Sequence, residues 1–108
     1  MNTSTGYQEI ERLWREHCAA TFPEGLAGQE VLGVEVAQVD TFAAGCIDTF
    51  IACRGNLDLR RTAILGLCYR DLAVAVLGLQ GEAQAYVGRL KSLVRLVLES
   101  VRDGAKQA

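Results

Sequence analysis

Apolar residues recur at three- and four-residue steps through most of the chain, and strand-like alternation is nearly absent. This period predicts four helices, over residues 6–22, 34–54, 57–77 and 82–102. In the first, Ile10, Leu13, Trp14, His17 and Thr21 fall on one face, with Glu9, Arg12 and Glu16 on the opposite one. Thr5 and Gln8 have the spacing of a capping box, and Pro23 and Gly25 stop the helix. In the second, Val36, Val39, Ala43, Cys46, Phe50 and Cys53 form a regular stripe, and Gly55 fits the left-handed position that ends a helix. Asn56 or Asp58 caps the third, and Gly78 and Gly81 break the chain before the fourth. The fourth carries Ala83, Val87, Leu90, Val94, Val97 and Val101 on one side.

One stretch resists this reading. Val31 to Val39 is rich in valine, so residues 31–39 could be extended or form a short strand, in which case the second helix starts at Asp40. Such a strand has no evident partner in the pattern. The expected architecture is therefore all-α, an antiparallel four-helix bundle in a single domain spanning 1–108. Residues 103–108 have nothing to bury and are expected to fray. Gly45 and Gly66 interrupt the second and third helices, which suggests close backbone approach between them.

The third helix is apolar on two sides. Leu65, Cys68, Leu72, Ala75, Val76 and Leu79 suffice to face the core, yet the opposite side carries Ala63, Leu67 and Val74. A helix of a bundle normally keeps a polar back. The surplus apolar face predicts self-association, in the first place as a dimer, or contact with a partner protein through Ala63, Leu67 and Val74.

Composition narrows the classes. The 108 residues are 50% hydrophobic and 22% charged, the make-up of an ordinary globular domain. A net charge of −2 argues against a nucleic-acid binder. No apolar run approaches the roughly 20 residues needed to span a bilayer, and the N-terminal residues show no secretory pattern. A cytoplasmic protein is expected. There Cys18, Cys46, Cys53 and Cys68 would stay reduced; their spacing matches no zinc motif, and they read as four small buried hydrophobes.

Catalytic motifs, cofactor motifs and metal motifs are all missing from the pattern. Gly78-Leu79-Gln80-Gly81 lacks the Lys-Ser/Thr of a phosphate loop. His17, the single histidine, reads as a partly buried, hydrogen-bonded structural residue. The principal expectation is a small self-associating interaction module. The alternative is a small-molecule binder or an enzyme without a familiar signature, its pocket between the first two helices and lined by Trp14, His17, Cys46 and Phe50. A third expectation is an anion contact through Arg54, Arg60, Arg61 and Arg70, of which Arg60 and Arg61 enter the third helix. Lys91, Arg95 and Arg102 on the fourth helix read as a solvated face.

Overall fold

The apolar stripes fold into four helices in a computed structural model that describes residues 3–107. They are α1 (Thr3–Cys18), α2 (Val36–Ala52), α3 (Leu59–Ala75) and α4 (Gly81–Gln107). A 3-10 turn at Glu24–Leu26 and a two-stranded hairpin join α1 to α2, and a second 3-10 turn, Val76–Gly78, leads out of α3. The bundle is all-α apart from that hairpin.

α4 is the spine. Its 27 residues rise about 40 Å, matching the 41 Å long axis of the molecule. It packs against α3 on one side and α1 on the other, and α2 closes the bundle against α3. Val87, Leu90, Val94 and Val97 of α4 meet Leu65, Leu72 and Ala75 of α3 and Ile47 and Phe50 of α2 in one core cluster. All are buried, and all but Ile47 lie on the apolar stripes read from the sequence. Asp58 caps α3 with its carboxylate, which accepts from the Arg61 backbone N–H at 3.1 Å.

Several boundaries differ from the sequence reading, each for a local reason. α1 starts by Thr3, so Thr5 lies inside the helix rather than at its cap. It stops at Cys18, before Thr21 and Pro23, because the chain tightens there: the Ala20 N–H donates to the His17 carbonyl at 3.0 Å. The non-helical segment that follows lets Phe22 meet Tyr86 edge-on, with ring centroids 5.4 Å apart. Leu26 then anchors the 3-10 turn in the core. At the other terminus α4 continues to Gln107, past the expected bound of 102, so residues 103–107 are helical; Ala108 lies outside the described residues.

The extended reading of residues 31–39 holds only for its first part, and the missing partner strand lies immediately before it. Strands β1 (Glu30–Val31) and β2 (Val34–Glu35) pair antiparallel, Glu30 with Glu35 and Val31 with Val34. The two-residue turn between them has φ of 51° at Leu32 and 84° at Gly33, the pattern of a type I′ hairpin. α2 then begins at Val36, neither at 34 nor at Asp40.

Two other expectations are corrected. Gly45 and Gly66 have open space where a Cβ would stand, so they mark no close helix approach. The glycine that does is Gly78: a Cβ there would lie 2.9 Å from Val31 Cγ1 and 3.1 Å from Leu32 Cγ, where the hairpin lies on the turn after α3. The cysteines also divide. Cys46 and Cys68 are buried between α2 and α3, but Cys18 and Cys53 are exposed at the C-terminal ends of their helices. Burial pushes the Cys68 thiol up to about 11 and the Cys46 thiol upward as well, so both buried thiols stay protonated and inert.

Candidate functional site

The residues predicted to form an interface lie in the open. Ala63 is exposed, Leu67 is 53% exposed and Val74 38%. The structure adds two residues to the same line. Leu59, in the first turn of α3, is 88% exposed, and Leu77, in the turn that follows the helix, is 78% exposed. Leu59, Ala63, Leu67, Arg70, Val74 and Leu77 step by 4, 4, 3, 4 and 3 residues. At about 100° per residue this spacing keeps them within an arc of roughly 80°. The line is about 27 Å long at 1.5 Å per residue, and its side lies opposite the buried Leu65, Cys68, Leu72 and Ala75. Arg70 is the one charge in it, its Nε 3.9 Å from Asp71 Oδ1. Sequence periodicity identified Ala63, Leu67 and Val74 at the centre of this line and did not single out the terminal leucines.

The four residues assigned to a pocket do not share one. Trp14 and His17 stack, ring centroids 5.8 Å apart, and both are buried. Phe50 lies at the far end of α1, fully buried, 6.1 Å from the Tyr7 ring. Cys46 lies in the seam with α3, whose Arg61 and cap residue Asp58 act electrostatically on its thiol. The reason is the packing: α1 rests mainly on α4 and meets α2 only along an edge. That edge is tied at two points, by the Tyr7 hydroxyl donating to the Ile51 carbonyl and by Trp14 Nε1 donating to Asp48 Oδ1, both at 2.9 Å.

Two cavities open elsewhere. A surface groove of about 1320 Å³ runs past Tyr7, Cys53, Arg54, Asn56 and Arg61 to Val101, where α1 and the C-terminal half of α4 approach the turn between α2 and α3. A hollow of about 570 Å³ lies over Phe22, Tyr86 and Arg89, with Glu24 and Glu82 at its edge. Trp14, His17, Cys46 and Phe50 line neither.

Of the arginines, Arg54 and Arg61 line the larger groove, whereas Arg60 and Arg70 do not. Arg61 is engaged with the cap residue, its Nη1 2.7 Å from Asp58 Oδ1, and this hydrogen bond holds the Asp58 carboxyl below its usual range. The four therefore do not converge on one anion. On α4, Arg95 reaches Glu99 at 3.8 Å and Arg102 reaches Asp103 at 3.7 Å, both solvent-facing pairs.

Sequence reasoning missed a polar and aromatic cluster where α1, α2 and α4 meet. His17 stands between Trp14 and Tyr86, whose ring centroid is 4.5 Å away. The Tyr86 hydroxyl donates to Asp40 Oδ1 at 3.2 Å. Burial drives the Tyr86 hydroxyl up to about 12 and raises the Asp40 carboxyl. His17 is only 5% exposed, and contrary to expectation neither ring nitrogen has a hydrogen-bond partner. Desolvation, then the nearby Arg89, lowers its proton affinity. No group of three metal-ligating side chains occurs among the described residues. No helix among them is long and apolar enough to cross a membrane.

Comparison of the chain with protein-family models, curated proteins and solved structures gives no match.

Proposed function

We propose that the protein is a self-associating helical interaction module that dimerises through the outer face of α3. The observation that carries this reading is the exposed line Leu59, Ala63, Leu67, Val74 and Leu77 on a helix whose opposite face already fills the core. Contiguous exposed apolar surface of this kind marks contact sites.

The order of residues in the line favours a second copy as the occupant. A two-fold axis pairs one patch with itself, so residue i of one copy meets residue j of the other and the reverse. With α3 antiparallel to its copy, Leu59 faces Leu77, Ala63 faces Val74 and Leu67 faces Arg70. Bulky residues then meet at the ends, and small Ala63 gives Val74 room. The aliphatic stem of Arg70 covers Leu67 while its guanidinium stays in water beside Asp71.

Sedimentation equilibrium across a range of protein concentrations tests this. The wild type is expected to approach twice its monomer mass, and Leu67→Lys, which sets a like charge against Arg70 of the second copy, to remain at monomer mass with unchanged helix content. A wild type that stays monomeric throughout, or a Leu67→Lys dimer of wild-type affinity, overturns the reading.

A further inference from the structure

The hairpin carries a like-charge pair that no cation of its own chain offsets. Glu30 and Glu35 stand directly opposite each other across β1 and β2, so their side chains leave the same face, with Cβ atoms roughly 4.5–5.5 Å apart. Val31 and Val34 take the other face: Val34 is buried, and Val31 lies against Gly78. Both glutamates are exposed, and neither forms an ion pair among the described residues. Like charges set opposite each other weaken a strand pair, and strands of two residues have little stability to spare.

Arg60 is the counterpart at the other end of α3. It is exposed and forms no ion pair among the described residues, whereas its neighbour Arg61 is engaged by the cap residue Asp58. Around the helix Arg60 lies about 20° beyond Leu67, at one edge of the exposed line. This edge is the one toward α2, because Cys68, further round in the same sense, places its Sγ 4.0 Å from the Val39 carbonyl. The hairpin occupies the same edge at the C-terminal end. β2 runs directly into α2, and Val31 and Leu32 rest against Gly78, the residue after Leu77. Leu32, exposed like Leu77, continues the apolar line past the end of the helix. A two-fold axis that sets α3 antiparallel to its copy exchanges the ends of the helix and keeps each edge on its own side. It therefore brings Arg60 of one copy, beside Leu59, to the hairpin of the other, beside Leu77.

We propose that in the dimer read above, on which this inference rests, the hairpin selects the second copy: Glu30 and Glu35 of each copy clasp Arg60 of the other, one cluster at each end of the paired helices. A guanidinium carries five N–H donors in a planar fork, enough to engage two carboxylates at once, and its charge relieves their mutual repulsion. The apolar line supplies contact area and the charges fix its direction. A parallel pairing would gather both arginines at one end and all four glutamates at the other, so it is disfavoured.

Charge reversal tests the clasp. Sedimentation equilibrium compares the wild type, Arg60→Glu, the double variant Glu30→Lys/Glu35→Lys, and an equimolar mixture of the two variants, with circular dichroism as the control for helix content. Each variant alone sets like charges together at both ends, so its dissociation constant at low salt is expected to rise about 10-fold or more over the wild type. In the mixture both clusters again join opposite charges, one of them with the signs exchanged, and a heterodimer of near wild-type affinity is expected. Wild-type affinity should weaken as salt is raised, and Glu30→Gln/Glu35→Gln, which leaves the hairpin without like charges, should lose that dependence. A mixture that associates no more tightly than its components, or an Arg60→Glu dimer of wild-type affinity, overturns the clasp and leaves the pairing of α3 standing. A wild type that stays monomeric under every condition removes both.

Discussion

Shortening Leu67 to alanine weakens the α3 pairing by an amount that the structure fixes in advance. The change removes three carbons, worth about 2.4 kcal/mol at ~0.8 kcal/mol per carbon if fully buried. In the monomer 53% of the residue is still exposed, so about half of that, ~1.3 kcal/mol, remains to be gained on pairing. Two-fold symmetry doubles it to about 2.5 kcal/mol per dimer, a loss of roughly 70-fold in affinity. Monomer stability is expected to fall by only about 1 kcal/mol, the share of the side chain that is already covered in the monomer. Sedimentation equilibrium or dilution calorimetry gives the dissociation constant, and urea unfolding of the dilute protein gives the stability. A shift below about 3-fold in a protein that does dimerise places the contact elsewhere. The antiparallel pairing has a sharper consequence: Leu59→Ala and Leu77→Ala, which face each other, should be coupled in a double-mutant cycle, whereas Leu59→Ala and Leu67→Ala should add.

Three further perturbations probe the fold that holds this face. Gly78→Ala sets a methyl 2.9 Å from Val31 Cγ1; because the close atoms belong to side chains at the surface that can give, it should cost at most about 1 kcal/mol in urea unfolding but displace the hairpin resonances, and unmoved hairpin resonances would contradict the close approach. Asp58→Ala removes the α3 cap and should lower the melting temperature by about 4–8 °C, with Asp58→Asn or Asp58→Ser recovering most of it. Asp40→Asn tests the buried carboxyl. Burial raises its folded proton affinity above the unfolded value of 3.8, so ionisation costs the folded state nothing below pH 3.8 and a growing amount as pH rises past it. Asp40→Asn should therefore raise the urea midpoint at pH 7 and leave it nearly unchanged at pH 3; equal effects at both would refute the assignment.

The helices were legible because each stripe repeats at the helical period and buries one face. Val87, Leu90, Val94 and Val97 illustrate this: four positions, one side, all inaccessible. The surplus face of α3 was legible for the same reason, since a second apolar stripe cannot be buried in the core that the first one fills. Periodicity was blind where a single long-range contact decides. The end of α1 goes with the docking of Phe22 on Tyr86, and no local signal distinguishes Cys18 from Thr21 as its last residue. The hairpin was hidden by its brevity, although Glu30-Val31-Leu32-Gly33-Val34-Glu35 is nearly symmetric about its turn and carries a glycine at one of the two positions that need positive φ. The His17 cluster was invisible because Asp40, Trp14 and Tyr86 come from three helices, and their meeting depends on which helix α1 rests upon. The four residues expected to line a pocket between α1 and α2 are spread apart for the same reason, since α1 leans on α4.

That seating of α1 on α4 also bears on the order in which the chain can assemble. α3 and α4 are joined by a few residues, and α2 reaches α3 through a short turn, so these contacts form with small loops. α1 and the segment that leaves it meet partners far along the chain, as His17 and Phe22 show by both packing on Tyr86. Closing a loop of that length costs more configurational entropy than closing a hairpin, by a term that grows with the logarithm of its length. The two ends of the polypeptide are thus brought together by its most expensive closure, and the three C-terminal helices can gather their core before it is made.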